Sequence, residues 1–466
     1  MITYQDYLKV ADNDKDRAAF VLDVISKHKA SDLYKTAKIA NDYDKCRNTT
    51  IMNYQKTITL VTGQVVPDKW SATHRSTSNF FSIFTTQLNQ FLLGNGVTWQ
   101  NKGAEEKLGK DFDHQLQKLG KSALIGAVSY GFYNVNHVDV FTVLEFAALL
   151  DEETGKMPAG VRFWQIADGK PLRATFYEID GYTEYLWVNK SDYIVDDSWQ
   201  RIDEKTYFRP KKPYKWVSVG DKKDREEGTE EIVVGDPADG LPIVPLYGNP
   251  HKQSELVGMR EKIDAYDFIL NGFEDDLDNA QIYWIIKGAG GMDDADLQTF
   301  LDRLKVVKGA APADGQDVTP VPVEIPVAAR ETLLERLTSQ LYRDAMIMNP
   351  EDIASGATTA TQIKAAYERQ NVKADQYEYC VLDFLYELMR IAGIDDDPSF
   401  TRSMIVNTQE EIQTVVNSAQ FLDGEYVVRK ILTLLGDGDK ADDMIQKRIA
   451  DELSQITEPE ETDENE

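Results

Sequence analysis

The stretch QSELVGMREKIDAYDFILNGFEDDLDNA, residues 253–280, is the most informative in the chain. Its apolar or small residues Leu256, Met259, Ile263, Tyr266, Leu270, Phe273, Leu277 and Ala280 follow alternating steps of three and four. That is a heptad stripe sustained over more than three heptads. A helix over 253–280, at 1.5 Å per residue, is about 42 Å long. The stripe is narrow, and Asp264, Asp267, Glu274, Asp275 and Asp278 crowd the other faces. So long and polar-sided a helix is not the buried helix of a compact core; it needs partner helices along its seam, from the same chain or from copies of it.

Working outward, a second helix is expected over 328–348, with Leu334, Leu337, Leu341, Ala345 and Met348 on one face. Asn349-Pro350 stops it, because proline disfavours helical geometry in the residue before it and donates no ladder hydrogen bond. Mostly small residues fill 351–359. A third helix, 360–392, carries Ile363, Tyr367, Gln370, Ala374, Tyr377, Val381, Leu385, Leu388 and Ala392 on one stripe. Between the first two long helices lies a compact insertion, 281–327, read as strand, turn, short helix (294–304) and strand, with the linker 309–315 inside it. Two long helices thus leave and return to one body, with a small unit at their far end.

Upstream, residues 1–46 read as polar helices, 71–93 as an amphipathic helix ended by Gly94-Asn95-Gly96, and 104–133 as a further helix. From about 137 to 246, short aromatic and β-branched runs such as VRFWQI (161–166) and ATFYEI (174–179) indicate antiparallel strands. Their aromatic density suits either a carbohydrate-binding face or, by preference, the alternating core and surface of a twisted sheet. Residues 222–231 read as a solvated charged tip. Beyond Pro398 the chain is short-stranded and helical to about 453, and TEPEETDENE, 457–466, is a disordered acidic tail.

With 466 residues the chain has room for about three domains. Its 51 Lys and Arg against 79 Asp and Glu leave a net charge of −28. Tight non-specific nucleic-acid binding needs cations that displace phosphate counterions, so this balance opposes it. It does not oppose a protein that DNA passes without sticking. Two cysteines, Cys46 and Cys380, rule out a disulfide framework. No signal peptide or membrane span is read, and a reducing compartment is expected.

No chemistry-bearing motif emerges. His28, His74, His114, His137 and His251 are scattered without metal-ligand spacing, and no GxSxG elbow occurs. Gly120-Lys121-Ser122 has the ending of a phosphate loop, but Gln115 occupies the position of its first glycine and the segment reads as mid-helix. The acidic clusters Glu274-Asp275-Asp276, Asp293-Asp294 and Asp395-Asp396-Asp397 read as solvated faces in a chain this acidic. The expectation is no enzyme and no cofactor, with catalytic and metal residues none.

The run IVPLYGNP (243–250), followed by Ser254-Glu255-Leu256 and by IDAYD (263–267), resembles the portal proteins of tailed bacteriophages, siphophage type. SGATTATQIKAAY, 355–367, is similar to the loop-and-helix region of that family. The order of these segments, with an insertion between two stem-like helices, carries the resemblance over about residues 50–450.

The resemblance implies an α+β portal-type fold: 1–250 an outer wing, 251–280 stem helix 1, 281–327 a small α/β clip, 328–348 stem helix 2, 349–359 a tunnel loop, 360–396 a long wing helix and 397–466 a mainly helical crown with the acidic tail. It implies a homo-oligomeric ring, a 12-mer in the family's capsid-embedded form, at a capsid vertex of the virion, assembled in the host cytoplasm. Its partners would be the terminase packaging motor, a head-completion adaptor, capsid and scaffolding proteins, and double-stranded DNA passing without sequence-specific binding; no membrane is involved. Asn349, Glu351, Asp352, Ile353, Ser355, Gly356, Thr358 and Thr359 would face the channel. Leu256, Met259, Ile263, Tyr266, Leu270, Phe273 and Leu277 would form the stem packing seam. Lys305, Lys308 and Lys364, sparse cations in these segments, are expected to touch phosphates transiently. Two other readings stand beside this one: a ring-forming virion or scaffold component that does not conduct DNA, and a carboxylate-based hydrolase built on the β region.

Overall fold

The computed structural model describes residues 2–59, 63–68, 73–101, 103–134, 136–188, 196–214, 216–217, 232–233, 240–278, 283–287, 317–321, 326–350, 360–403, 408–435, 441 and 444–447. The expected charged tip at 222–231, the helix at 294–304, the linker at 309–315, the loop at 351–359 and the acidic tail lie outside the described residues.

The chain opens with helices α1 (Tyr4–Leu8), α2 (Asp14–Ala30), α3 (Asp32–Asp44) and α4 (Thr49–Met52). Ser31 divides α2 from α3: its extended backbone ends one helix, and its Oγ accepts the Tyr34 amide at 3.2 Å to cap the next. Strands β1 (Thr57–Thr59) and β2 (Val65–Pro67) pair antiparallel. Helix α5 follows as Phe80–Leu93.

The expected helix over 71–93 therefore starts late. Residues 73–79 carry no helix, because the main chain of this Ser- and Thr-rich stretch hydrogen-bonds side chains of a distant helix, described below. The expected helix over 104–133 is likewise three elements: α6 (Gly103–Leu108), α7 (Phe112–Gly126) and strand β4 (Val128–Tyr133), with the two-residue strand β3 (Val97–Thr98) ahead of them. Gly109, at φ +92°, breaks the first helix from the second, and Ala127, at φ +74°, ends the second. The sequence VSYGFY after it is β-branched and aromatic, and strands flank it on both sides.

Those flanking strands are β5 (Val138–Thr142) and β14 (Ile243–Tyr247), giving the order β14-β4-β5. Pro245 lies on the edge strand β14, where its missing N–H costs no ladder bond. Between them the chain builds β6 (Phe146–Leu149), β7 (Ala159–Trp164), β8 (Leu172–Glu178), β9 (Gly181–Trp187), β10 (Gln200–Arg201) and β11 (Thr206–Lys212), a six-stranded antiparallel sheet ordered β10-β11-β9-β8-β7-β6. Helix α2 lays Ala18, Val21, Val24 and Ile25 in one core with Val161, Phe163, Ala174 and Phe176 of this sheet. Tyr130, Phe141, Phe146, Tyr177 and Tyr214 are buried together. The aromatic density is thus a core, in line with the preferred of its two readings.

Three long helices follow. Helix α8 is Arg260–Asp278, α9 is Val327–Ala345 and α10 is Ala360–Ala392. Between α8 and α9, strands β15 (Tyr283–Lys287) and β16 (Asp317–Val321) pair antiparallel; β12 (Trp216–Val217) and β13 (Ile232–Val233) pair farther upstream. Near the C-terminus β17 (Ser399–Phe400) pairs with β3, and α11 (Thr408–Ser418) and α12 (Gly424–Leu435) follow.

Helix α10 has the expected bounds, and its stripe enters the largest core: Tyr367, Ala374, Tyr377, Val381, Leu385 and Leu388 are buried against α5 and α7 residues such as Leu88, Leu92, Leu116 and Leu119. The glycine of Gly120-Lys121-Ser122 sits mid-helix in α7, as expected, and its purpose is steric. A Cβ there would overlap the Tyr377 hydroxyl and lie 2.6 Å from Asn89 Oδ1. Burial raises the Tyr377 pKa, so the hydroxyl stays protonated and donates to Asn89 Oδ1 at 2.9 Å, while Asn89 Nδ2 donates to the Gln117 carbonyl. Gly120→Ala is expected to lose about 1–3 kcal/mol of stability by overpacking, despite the better helix propensity of alanine. Urea denaturation with α-helical circular dichroism reads that loss; an unchanged midpoint contradicts the packing account.

Candidate functional site

The α8–α9 pair is the region the heptad stripe singles out. Helix α8 starts at Arg260, seven residues later than the stripe suggests, because residues 254–259 form successive turns: the Met259 and Arg260 amides both donate to the Leu256 carbonyl, at 3.0 Å. Leu256 and Met259 are buried all the same, ahead of the helix rather than on it. Ile263 is fully buried. The Tyr266 ring meets Phe80 edge-on at 5.0 Å, and Tyr342 of α9 meets Phe84 at 5.1 Å, so α5 closes this half of the seam. Leu270 and Phe273 are half-buried, and the Arg330 guanidinium lies 5.6 Å from the Phe273 ring centroid. Leu277 is 53% exposed. The seam is thus shut where it joins the body and opens toward the insertion.

Cross-helix ion pairs set the register. Lys262 reaches Asp344 at 2.5 Å, and Arg330 pairs with Asp276 while donating to the Gly272 carbonyl at 3.2 Å. The hydrogen bond from Lys262 holds the Asp344 carboxyl below the usual carboxylate range. α8 and α9 therefore run antiparallel.

α9 ends at Ala345, three residues before the expected stop. Met346 takes the left-handed conformation at φ +57°, and Ile347 N–H donates back to the Tyr342 carbonyl at 3.1 Å, a Schellman-type finish that precedes Asn349-Pro350. Two groups of α10 hold this terminus. Gln370 Oε1 accepts the buried Met348 amide at 3.0 Å, and Lys373 donates to the Ala345 carbonyl at 2.9 Å while pairing with Glu255 at 2.6 Å. A cleft of about 340 Å³ opens beside this junction, floored by Phe81, Phe84, Leu88 and Met259.

The opposite face of α8 departs from expectation. The sequence places Asp275 in a solvated acidic cluster, yet Asp267, Asn271 and Asp275 are buried. They receive residues 74–78, running antiparallel to the helix. Ser78 N–H donates to Asp267 Oδ1 at 2.9 Å, Ser76 N–H to Asn271 Oδ1 at 2.7 Å and His74 N–H to Asp275 Oδ1 at 2.7 Å. Asn271 Nδ2 returns a bond to the Ser76 carbonyl at 2.8 Å. Outside these rungs Asn48 donates to Asp267, Lys56 pairs with Asp275 at 2.9 Å, and Tyr43 and Thr50 donate to Asp264 at 2.5 and 2.8 Å. Steps of three and four between 264, 267, 271 and 275 are visible in the sequence, but in an acidic chain they look like any solvated face.

The two buried carboxylates titrate in opposite senses. Burial raises the pKa of Asp267, which has hydrogen bonds but no salt-bridge partner among the described residues. Burial pushes Asp275 up as well, but hydrogen bonds from Lys56 and His74 outweigh it and leave the carboxyl below the usual range.

The remaining sequence-predicted residues divide by location. Asn349 is half-buried at the end of the α9 terminus. Glu351, Asp352, Ile353, Ser355, Gly356, Thr358, Thr359, Lys305 and Lys308 lie outside the described residues. Lys364 falls on the first turns of α10 by its backbone; its side chain lies outside the described residues. Among the described residues no group of three His, Cys, Asp or Glu side chains is placed to hold a metal ion, and no helix is long and apolar enough to cross a membrane.

Asp267→Ala, which strands two buried donors, is expected to cost about 2–4 kcal/mol. Asp267→Asn should stay within about 1 kcal/mol of the parent, because the new amide keeps an acceptor for Ser78 N–H and Asn48 can turn its otherwise unpaired Oδ1 toward the new donor. On acidification, the raised Asp267 adds stability as it takes up its proton, whereas the depressed Asp275 loses its contribution as pH falls through its folded-state pKa. From neutral pH to below the carboxylate range, Asp275→Asn should therefore lose less stability than the parent and Asp267→Asn more. Denaturant melts across that range measure both; parallel curves for all three proteins refute the assignment.

Comparison with known proteins adds four findings. Residues 24–459 match the family described as "Phage portal protein, SPP1 Gp6-like". The portal protein of Clostridium phage phiCD119 is 24% identical over 211 residues, 43% of this chain; the chain spans about half of that relative, 47% of its length. The portal protein of Bacillus phage SPP1 is 24% identical over 425 residues, 84% of this chain and 78% of that protein. Among solved structures, the neck of a native gene transfer agent particle, computed with C12 symmetry, aligns with a TM-score of 0.41 at 12% identity, over 76% of this chain and 89% of that one.

Proposed function

This chain belongs to the SPP1 Gp6-like family of phage portal proteins, and on that footing we propose that it forms a ring channel at one capsid vertex through which double-stranded DNA is packaged and ejected. The ring is a homo-oligomer of twelve subunits. It docks the terminase motor through the clip at 281–327 and later the head-completion adaptor, and it meets capsid and scaffolding proteins around its wing, residues 1–250. The crown, 397–466, faces the head interior. Assembly takes place in the host cytoplasm, and the mature ring resides in the virion. The role is structural, with ATP hydrolysis left to the motor.

The observation that carries this reading is the α8–α9 pair. Two antiparallel helices locked by Lys262–Asp344 and Arg330–Asp276 leave the body and return to it, with paired strands at their far end. Their seam is closed by α5 near the body and less covered toward Leu277. A partly covered heptad seam is what helices standing side by side about an axis require. The tunnel loop, 349–359, springs from a terminus fixed to α10 by Gln370 and Lys373. The net charge of −28 per subunit gives a strongly negative ring. Where that charge lines the bore, phosphates meet repulsion, so a duplex slides instead of binding.

Cryo-microscopy of the purified chain, viewed down the symmetry axis, tests the reading. A closed ring with a bore wide enough for B-form DNA is expected. A chain that stays monomeric at high concentration and in virions refutes it, and a ring with a closed bore favours a scaffold component that does not conduct DNA. Lys305, Lys308 and Lys364 make transient phosphate contacts on this reading. Replacing all three by Gln should change packaging efficiency and flatten its salt dependence, since each lost phosphate contact removes a salt-sensitive counterion exchange. Unchanged packaging and salt response remove that role.

A further inference from the structure

Residues 74–78 cross α8 in a geometry with a simple numerical basis. Two residues of extended chain advance about 6.6–6.8 Å, and four residues of helix advance about 6.0 Å. Alternate main-chain amides therefore keep pace with every fourth helix position: 78 with 267, 76 with 271, 74 with 275. The mismatch of about 0.7 Å per rung is small enough for three rungs and too large for many more.

Each rung joins a side chain of α8 to the main chain of the segment, not strand to strand. Asn271 is the middle rung and bonds both the N–H and the C=O of Ser76, which an aspartate there could not do. The segment lies at the surface, with Arg75 and Ser76 exposed, while the α8 side chains beneath it are buried. Its C-terminal end runs into Phe80, the residue that closes the α8–α9 seam against Tyr266.

We propose that residues 74–78 are a strap: a separately releasable unit that grips the polar face of α8 and thereby sets how firmly the α8–α9 pair is held to the body. With the strap seated, α8 is held on its polar face by the strap together with Tyr43, Thr50, Asn48 and Lys56, and on its seam by Phe80. With the strap lifted, the α8–α9 ion pairs, the buried Ile263 and the bonds of Asp264 to Tyr43 and Thr50 remain, so the loosening is confined to the part of the pair beyond Asp267. The strap belongs to the chain itself and operates whether or not the protein conducts DNA.

Amide hydrogen exchange on the full chain tests it, with the amides of His74, Ser76 and Ser78 compared with that of Leu88 in the core of α5. In the parent, the strap amides should exchange at least about tenfold faster than Leu88 yet well below the rate of an open peptide, the mark of a sub-global opening. Asn271→Ala should speed exchange at Ser76 by at least about tenfold, since both hydrogen bonds to that residue are lost, and leave Leu88 unchanged. Asp275→Asn should act chiefly on His74, leaving Ser78 nearly as protected as before. Strap amides that exchange in step with Leu88 in the parent overturn the proposal, since the segment then opens only with the whole domain. Strap amides at the open-peptide rate overturn it too, since nothing is then gripped.

Discussion

The buried carboxylates of α8 are the constraint on which the arrangement of the long helices depends. An ionised carboxylate placed out of water must find donors, and the chain provides them from a segment 189 to 201 residues earlier in sequence. That requirement brings residues 74–78 across α8, delivers Phe80 to the seam, and fastens the N-terminal helices to the pair α8–α9. Apolar packing could have joined these parts with greater tolerance of misalignment. Polar rungs are selective, because a rung that misses leaves a charge buried and unpaired.

The same helix is used differently on its two sides. On the seam, contacts grade from the enclosed Ile263 to the exposed Leu277. On the polar face, bonds run from Asp264 to Asp275 with donors from α3, α4, the strap and Lys56. Helix α10 shows the contrasting economy. Among the described residues its buried stripe is apolar but for Gln370 and the tyrosine hydroxyls, and that glutamine receives the Met348 amide where α9 has ended and the chain turns away. In both helices, a buried polar group marks a place where another segment's backbone must be caught.

Legibility in the sequence follows from this. The bounds of α10 are readable because a continuous 3.6-residue pattern runs from an alanine-rich start to Gly393, which takes a positive φ. The antiparallel sheets are readable from aromatic and β-branched alternation. The strap is not: 71–79 continues smoothly into the amphipathic pattern of α5, and only a partner far away in sequence draws its amides out of a helix. The merged reading of 104–133 fails at Gly109 and at Ala127, an alanine with nothing in its type to announce a left-handed turn. Portal membership is legible from the order of segments. The channel-facing residues depend on how copies sit about an axis, which one chain's periodicity leaves open.

The anchorage of the α9 terminus has a mechanical meaning. Lys373 and Gln370 tie the end of one long helix to the flank of another, and Arg402 grips that second helix farther along through Asn371, Asp375 and Glu378. A pull on the end of α9 is thus passed, through Gln370 and Lys373, to a 33-residue rod packed into the main core. Traction on that terminus therefore meets the apolar packing of the rod behind its polar contacts, so the load spreads into the core.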